Sequence, residues 1–291
     1  MLKIFDIKFL EEVCLSKKKI VIVGGEGYLG GHFRQRLPQA ISSKIDICNL
    51  IAVKNMLQDK PDIVINCAGK TGRPNIDWCE YNKLPTLSSN IIGALVLMEQ
   101  CLLANVAYVH IGSGCIFDGG FFDENDEPNF KGSFYSKTKL VVDLMMQDFP
   151  VLNLRLRMPF DGSLHPRNLI RKLIGYPKVL TEQNSMTYIP DFINAAVALI
   201  EKGIIGTFNI VNTGTISPWA IMRMYKAIVD SNHTFDPILL EDFSYLTKAA
   251  RSNCILSNTR LMLANIPMMN VADAVECSLN KMVRVIETEV I

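Results

Sequence analysis

Apolar residues fall into two kinds of run in the first half of the chain. Short runs rich in β-branched residues are typical of strands buried on both faces of a parallel sheet. Longer stretches with one apolar face separate them and indicate helices. This alternation predicts an α/β fold, a Rossmann-type doubly wound parallel sheet. The predicted strands are residues 20–23, 63–66, 106–111 and 152–156, and the predicted helices are residues 29–37, 51–58, 86–104 and 132–149.

The pattern changes near Met158, where glycine and proline break the chain into shorter pieces. Further predicted elements are a helix over 191–202, a strand over 207–211, a helix over 218–229, and helical ends near 261 and over 273–286. We therefore expect an N-terminal leader over residues 1–16 and an NAD(P)-binding domain over residues 17–158. Residues 159–291 are expected to form a smaller substrate-binding lobe that also returns strands to the sheet.

Composition limits the partners and the location. The 291 residues carry a formal net charge of +1, and the longest basic run is residues 17–19. Nucleic acid is therefore not an expected partner. No uninterrupted apolar stretch reaches the ~20 residues of a membrane span, so no membrane partner is expected. The eight cysteines contain no C-x-x-C pair, and the histidines have no ligand spacing. We expect no metal site and a cytoplasmic protein with reduced thiols.

A glycine-rich turn follows the first predicted strand directly. Gly24, Gly27 and Gly30 have the spacing G-x-x-G-x-x-G, with Tyr28 and Leu29 opening the next helix. Glycines at these places allow a tight turn and a close approach of the backbone to a pyrophosphate. The N–H groups at the helix start then point at the phosphates. The turn predicts a dinucleotide cofactor contacted by these five residues.

The residues that would meet the adenosine ribose favour NADPH. Ser42, Ser43 and Lys44 lie where a second strand would end, and Arg34 lies on the first helix. These groups suit a 2′-phosphate better than an acidic side chain does. Asp46 is the counter-evidence, because a carboxylate there could bind the ribose, so NADH stays open.

Three polar residues further along indicate reduction of a carbonyl. Tyr135 and Lys139 lie one helical turn apart, and Ser113 follows the predicted strand 106–111. A ketone that accepts a hydride needs a proton donor and hydrogen-bond partners already in place. Tyr135 is the expected donor, with its phenolic pKa lowered by the Lys139 charge. Ser113 is expected to hold the substrate oxygen.

These residues sit within longer strings that resemble one family. The string NCAGKTGRPNIDWCE over residues 66–80 is its most specific element. The chain resembles the extended short-chain dehydrogenase/reductases, and within them the UDP-rhamnose synthase 3,5-epimerase/4-reductases of plants and large DNA viruses. The dTDP-4-dehydrorhamnose reductases and GDP-fucose synthases are more distantly similar. Further matching strings lie at residues 114–117, 128–139, 154–159, 166–168, 184–187 and 251–253.

The resemblance implies a substrate and partners. It implies that UDP-4-dehydro-6-deoxy-D-glucose, a UDP-4-keto-6-deoxy sugar, becomes UDP-L-rhamnose at the expense of NADPH. Because the chain contains a single nucleotide turn, a separate upstream 4,6-dehydratase is expected to supply this substrate. A homodimer is expected from the relatives. The alternatives are a dTDP-4-dehydrorhamnose-type reductase without epimerase activity and a non-catalytic nucleotide-sensing regulator.

Cys115 distinguishes an epimerase from a simple reductase. It lies two residues after Ser113, so both side chains point the same way if the chain stays extended. In the families named above that epimerise, a cysteine at this place takes part in moving the C3 and C5 protons. The resemblance implies that Lys172 is its proton partner, with Lys178 as the competing choice. A buried structural thiol is the alternative for Cys115.

The remaining candidates are binding residues. We expect cofactor contacts after the strand 63–66, at Asn66, Ala68 and Gly69, together with Lys139. Expected substrate contacts are Arg73 and Asn75 on sugar hydroxyls, Arg251 on the pyrophosphate, and Asn168 and Met186 in the nucleotide or sugar wall. A turn with a surface arginine is the alternative at Arg73, and a salt bridge is the alternative at Arg251.

Overall fold

The computed structural model describes residues 14–289, apart from the side chains of residues 244, 288 and 289. The predicted leader lies outside the described residues except for residues 14–16. The strands, in chain order, are β1 (Ile20–Val23), β2 (Ile41–Ser43), β3 (Ile63–Asn66), β4 (Ala107–Ser113), β5 (Phe121–Phe122), β6 (Leu152–Leu156), β7 (Pro159–Phe160), β8 (Lys178–Leu180), β9 (Thr187–Tyr188), β10 (Gly206–Asn209), β11 (Asp236–Ile238) and β12 (Ile255–Leu256).

Helices separate these strands. In chain order they are α1 (Tyr28–Arg36), α2 (Leu50–Gln58), α3 (Asp77–Tyr81), α4 (Lys83–Leu87), α5 (Gly93–Leu103), α6 (Phe134–Met146), α7 (Leu169–Ile174), α8 (Ile189–Glu201), α9 (Pro218–Ile228), α10 (Leu240–Phe243), α11 (Thr259–Leu263) and α12 (Val271–Glu289). A π-helical turn (Ser88–Ile92) joins α4 to α5, and short 3-10 turns cover Leu15–Lys17 and Ser244–Leu246.

The main sheet confirms the predicted fold class. Its six strands run in the order β10-β6-β4-β3-β1-β2, and every neighbouring pair is parallel. In β1, Ile20 and Ile22 pack into one apolar cluster with residues of α1 and α8. Val21 and Val23 pack into a second cluster with residues of α2, α5 and α6. Alternate residues thus face opposite helix layers, and for this reason the strand reads as a continuous apolar run.

The predicted long helix is interrupted by the π-helical turn. The combined run Lys83–Leu103 is long and apolar enough to cross a membrane by length and composition, and 39% of its most apolar window is buried. Ala94, Leu97 and Cys101 of this run pack against the sheet in the second cluster. The run therefore works as a core helix in this fold.

The second half of the chain builds a separate apolar cluster. Residues of α7, α9 and α12 surround the short parallel pairs β7–β9 and β8–β11 there. Strand β10 returns to pair with β6, so the sheet draws residues from both sides of position 158. The carboxyl ends of the parallel strands β1, β3, β4 and β6 consequently lie at one edge of the sheet, beside the elements of the second half of the chain. In sheets of this kind, ligands bind at that edge.

Candidate active site

The glycine turn after β1 has the geometry of a pyrophosphate cradle. Gly24 has φ +76°, which an L side chain rarely adopts. A Cβ at Gly30 would lie 2.3 Å from the Gly24 carbonyl oxygen, so only glycine lets α1 approach the strand this closely. Gly27 is the N-cap of α1 and offers no side-chain cap to its first N–H groups. The residues present therefore fit a dinucleotide, because those donors face the turn.

Tyr28 and Leu29 anchor this turn to the rest of the protein. The Tyr28 ring stacks on His165 at 4.5 Å between centroids, and burial raises the pKa of its phenol. His32 lies one turn along α1, and its Nε2 is 2.9 Å from Asp161 Oδ2. Leu29 packs against the first apolar cluster. The segment after β7 is thereby held over the start of α1, next to the expected pyrophosphate.

The loop after β3 is organised by Asn66. Its side chain is fully buried; Oδ1 accepts from the Ala68 N–H at 3.0 Å, and Nδ2 donates to the Tyr108 hydroxyl at 2.8 Å. This use of the amide differs from the expected direct cofactor contact. Ala68 and Gly69 follow in the loop, and Ala68 lies against Gly24 of the glycine turn. Asn66 thus shapes the cofactor edge through the backbone.

Two side chains from distant elements hold the next part of this loop. Asn90, in the π-helical turn, accepts from the Lys70 N–H at 2.7 Å and donates to its carbonyl at 2.9 Å. Arg167 donates to the Thr71 hydroxyl at 2.6 Å and also to the Gly72 carbonyl. Because Arg167 comes from the segment ahead of α7, the loop after β3 is tied to the second half of the chain.

Ser113, Tyr135 and Lys139 converge as the sequence predicts. Ser113 is the last residue of β4 and is buried, while Tyr135 and Lys139 lie on α6. The Ser113 side chain lies close enough to Tyr135 to lower the pKa of its phenol. The N-terminus of α6 is fixed by Ser133, whose hydroxyl accepts from the Ser136 N–H at 3.0 Å. This cap sets the angle at which α6 presents both side chains.

The expected effect of Lys139 on Tyr135 is wrong for this structure. Burial raises the pKa of Tyr135, and the Cys115 charge adds to the rise, whereas the Ser113 hydrogen bond and the Arg167 charge lower it. The Lys139 ammonium instead donates to the Ile111 carbonyl at 2.8 Å. The Lys139 side chain is therefore held against strand β4.

His110 is a second partner of Lys139 that the sequence reading missed. The Lys139 Nζ and His110 Nε2 are 3.2 Å apart. An ammonium can only donate hydrogen bonds, so His110 Nε2 is the acceptor in this contact. The ring proton is therefore on Nδ1, which lies 3.3 Å from the Tyr108 hydroxyl. Burial holds the pKa of His110 well below its usual value, which keeps the ring neutral. Burial also lowers the pKa of Lys139 to about 8, against opposing effects of Asp143 and Cys115.

Cys115 reaches the same place by a turn. Strand β4 ends at Ser113, and residues 114–116 form a bend and a turn, so the extended conformation on which the expected alternation depended does not continue to Cys115. The turn nevertheless brings the Cys115 N–H to 3.2 Å from the Ser113 hydroxyl oxygen. Arg157 Nη1 donates to the Cys115 sulfur at 3.6 Å. The thiol and the reducing residues therefore share one site.

Arg157 is completely buried behind that sulfur. Its Nε donates to Asn184 Oδ1 at 2.5 Å, and its Nη1 and Nη2 donate to the Ser252 hydroxyl and carbonyl at 2.9 and 2.7 Å. A third acceptor for Nη1 is the Gly114 carbonyl at 3.3 Å. The matching string over residues 154–159, which overlaps the end of β6, contains this residue, but nothing local in it indicates that the side chain turns toward the end of β4.

Lys172 lies among positive charges on α7. It is half-buried; burial lowers its pKa, and the charges of Arg167 and Arg251 lower it further. Arg167 also acts on Tyr135, so this cluster adjoins the phenol. Lys178, the competing choice, is exposed on β8 and pairs through its backbone with β11. The structure therefore places Lys172 near Arg167 and Arg251, and its part in the reaction stays a prediction.

Two residues that were predicted to contact the substrate are instead buried in the protein interior. Asn168 is fully buried at the N-cap of α7, where Oδ1 accepts from the Asp161 and Ile170 N–H groups. Its Nδ2 donates to the Asp161 and Ser163 carbonyls at 2.8 and 2.6 Å. Met186 is fully buried in the apolar cluster of the second half. We correct both assignments, because neither side chain keeps a free surface or a free donor.

The other predicted contacts line the loop between β3 and α3. Arg251 Nη1 donates to Asp77 Oδ1 at 2.9 Å and to the Ala249 carbonyl at 2.7 Å, which is the salt-bridge alternative. Asn75 Oδ1 accepts from the Asp77 N–H at 2.8 Å. Arg73 is exposed, and its charge acts on Arg167. These cations leave a positive wall beside the loop.

Comparisons with known proteins agree with this arrangement. The RmlD substrate binding domain family matches residues 18–170. A bifunctional dTDP-4-dehydrorhamnose 3,5-epimerase/dTDP-4-dehydrorhamnose reductase of Arabidopsis thaliana is 36% identical over 275 residues, covering 89% of this chain and 91% of that one. A trifunctional UDP-glucose 4,6-dehydratase, 3,5-epimerase and reductase of the same plant is 34% identical over 88% of this chain and 41% of its own length.

A solved structure extends the similarity to three dimensions. The L780 UDP-rhamnose synthase from Acanthamoeba polyphaga mimivirus superposes with a TM-score of 0.85 and 30% identity, covering 91% of this chain and 99% of that one. The matches confirm the resemblance read from the strings around residues 66–80 and 128–139. This chain belongs to the RmlD substrate binding domain family, within the extended short-chain dehydrogenase/reductases.

Proposed function

We propose that this protein is a bifunctional 3,5-epimerase/4-reductase that converts UDP-4-dehydro-6-deoxy-D-glucose to UDP-L-rhamnose with NADPH. One observation carries the proposal: the thiol of Cys115 shares its site with the hydroxyls of Ser113 and Tyr135. Ser113 lies close to Tyr135 and bonds to the Cys115 backbone, and the Cys115 charge acts on the tyrosine. Relatives named as epimerase/reductases and as a UDP-rhamnose synthase support the same activity.

The reducing half of the reaction needs a proton at the C4 oxygen. NADPH, when bound at the glycine turn, supplies the hydride to C4. Ser113 is placed to donate a hydrogen bond to the carbonyl oxygen, and Tyr135 to give it a proton. Because burial raises the pKa of Tyr135, the phenol keeps its proton until a more basic alkoxide develops beside it. Lys139 adds a positive charge behind the pair.

The epimerising half needs groups on both faces of the sugar ring. The hydrogens at C3 and C5 are acidic because they flank the ketone, and inversion requires removal on one face and return on the other. Cys115 would act on one face, with the hydrogen bond from Arg157 holding its sulfur in place. Lys172 would act on the other, since burial and the charges of Arg167 and Arg251 lower its pKa and so favour the neutral amine.

The proposed activity is tested directly with the keto sugar as the substrate. The purified protein is incubated in D₂O with UDP-4-keto-6-deoxy-glucose and NADPH, and the product is analysed by mass spectrometry and NMR. We expect UDP-L-rhamnose with deuterium at C3 and C5. The dTDP sugar, run in parallel, measures the nucleotide preference. Cofactor oxidation only with a sugar that is already epimerised would establish the reductase alternative, and binding without turnover would establish the regulator.

We propose a homodimer built on α6. Val141, Leu144, Met145 and Phe149 are exposed large apolar residues at helical spacing on and just after this helix. Such a stripe favours packing against a second helix. Light scattering after size exclusion should give twice the monomer mass, and Leu144→Glu should reduce it to the monomer. The keto sugar is proposed to come from a separate 4,6-dehydratase.

A further inference from the structure

The adenosine end of the cofactor site lies where β2 ends beside the glycine turn. Strand β2 pairs with β1 in parallel, and Gly24 N–H donates to the Ser43 carbonyl at 3.1 Å. In this fold, an acid near this point accepts the ribose 2′-hydroxyl of NAD, whereas an arginine accommodates the 2′-phosphate of NADP. Ser42 and Ser43 end the strand, so β2 contributes no carboxylate.

A carboxylate is nevertheless present, because the glycine turn supplies one. Glu26 Oε1 accepts from Arg34 Nη1 at 2.8 Å and from the Ser42 hydroxyl at 3.3 Å. A Cβ at Gly25 would meet the Ser42 hydroxyl at 2.4 Å and the Arg34 side chain at 3.3 Å. The turn, the end of β2 and α1 are therefore packed together. Glu26 is bonded to the two groups that would otherwise bind a 2′-phosphate.

We propose that Glu26 is a cofactor-specificity residue that lets this enzyme bind NADH alongside NADPH. The inference rests on the proposed function, which requires a nicotinamide cofactor in the glycine turn. The carboxylate can accept a hydrogen bond from a ribose 2′-hydroxyl without bringing like charges together. A 2′-phosphate, in contrast, must take Arg34 and Ser42 from Glu26 and then lie beside a second negative group.

The exposure of the pair explains why NADPH is still accepted. The side chains of Arg34 and Glu26 are 45% and 52% exposed. An exposed ion pair is weak, so Arg34 exchanges partners at little cost. Solvent also screens the repulsion between Glu26 and the phosphate. The two effects reduce the difference in affinity between NADPH and NADH, so that the enzyme can use both.

Asp46 is the rival acid at this end of the site. It lies three residues beyond β2, and its Oδ1 accepts from the Cys48 N–H at 3.0 Å within a local turn. Glu26, not Asp46, bonds to Arg34 and Ser42. Asp46→Asn is therefore a matched control, since it also removes one carboxylate near the adenosine.

The test measures binding. Dissociation constants are determined by calorimetry for NADPH, NADH, adenosine 2′,5′-bisphosphate and AMP. We expect the wild type to bind NADPH and NADH within about tenfold of each other, because one charge-assisted contact is set against one repulsion. Glu26→Gln should lower the dissociation constants of NADPH and the bisphosphate by about fivefold, which is the effect of removing one like charge at ~4 Å in water. Added salt should shrink this gain.

Two further variants complete the test. Arg34→Gln should weaken NADPH and the bisphosphate while leaving AMP and NADH unchanged. Asp46→Asn should leave the ratio of the two cofactors unchanged. The inference is overturned if Glu26→Gln leaves that ratio unchanged, if Asp46→Asn moves it instead, or if the wild type prefers NADPH by more than about a hundredfold, beyond one exposed contact. If neither cofactor binds, the proposed reductase falls as well, which distinguishes the two failures.

Discussion

Arg157 donates a hydrogen bond from Nη1 to the sulfur of Cys115 over 3.6 Å. The arginine is completely buried, and its hydrogen bonds to Asn184 and Ser252 prevent it from moving away. Cys115 is only half-buried, so its sulfur remains within reach of a substrate. This buried donor holds the accessible sulfur in one position. We therefore propose Arg157 as a positioning residue for the Cys115 thiol.

Replacing this arginine should slow the thiol chemistry and spare hydride transfer. Arg157→Lys keeps a charge but loses the planar fork, and we expect alkylation of Cys115 by iodoacetamide to slow about tenfold, the effect of one charge-assisted hydrogen bond. Deuterium uptake at C3 and C5 should fall in parallel. Arg155→Lys is the matched control, because that buried arginine pairs with Asp143 at 2.5 Å instead. Equal alkylation rates in the wild type and Arg157→Lys would rule out this role.

Removing the thiol should separate the two reactions. In Cys115→Ser, the hydroxyl gives up its proton far less readily than a thiol and so supplies almost no anionic base, and proton exchange at C3 and C5 should drop by about a hundredfold or more. Reduction of a sugar already epimerised should continue near the wild-type rate. Mass spectrometry in D₂O measures the first and cofactor absorbance the second. Cys277→Ser, on the exposed face of α12, should change neither. Undiminished deuterium uptake in Cys115→Ser would contradict the mechanism.

Two lysines of the second half provide a paired test. Lys172→Gln removes the half-buried amine with the lowered pKa and should slow epimerisation by about a hundredfold, the usual contribution of one acid or base. Lys178→Gln changes an exposed lysine on β8 and should have no effect. Deuterium incorporation is followed separately at C3 and C5 by NMR. If Lys178→Gln slows deuterium incorporation and Lys172→Gln does not, the proton partner of Cys115 is Lys178 and the assignment to Lys172 is wrong.

The pKa of Lys139 predicts the alkaline limit of reduction. Burial lowers this pKa to about 8, so the ammonium is present below that pH and is lost as the pH rises through it. If hydride transfer requires the Lys139 ammonium, its single-turnover rate should fall above about pH 8, by roughly tenfold for each further pH unit. His110→Leu removes a neutral acceptor that stabilises the ammonium, so the falling limb should move to lower pH. A rate that stays level to about pH 10 would contradict both statements.

The regular elements were largely predictable from local pattern. Strands β1, β3 and β6 begin and end where the apolar runs predicted, because strands buried on both faces show little but hydrophobicity. Strand β2 was given no bounds, although a second strand was expected to end near residues 42–44, since this edge strand contains a single isoleucine and is partly exposed. The π-helical turn was also missed, because Ser88–Ile92 continues the helical pattern without a break.

Within the site, sequence predicted identities better than contacts. Ser113, Tyr135, Lys139 and Cys115 meet as expected, although Cys115 arrives through a turn. Asn168 is an example of the opposite outcome, since a polar residue in a matching string is used to cap α7. No local spacing distinguishes an amide that binds a ligand from one that satisfies the backbone.

By itself, the sequence determined the parallel sheet, the glycine turn and four residues that the fold brings together, Ser113, Cys115, Tyr135 and Lys139, because strand periodicity and short motifs act over a few neighbouring positions. Only the tertiary structure decided how the charges are shared. Arg157 reaches Cys115 across 42 positions and Lys139 reaches His110 across 29. Glu26 engages the end of β2 rather than solvent alone. Such contacts depend on how elements pack, and burial then sets their strength, so neither can be read from spacing along the chain.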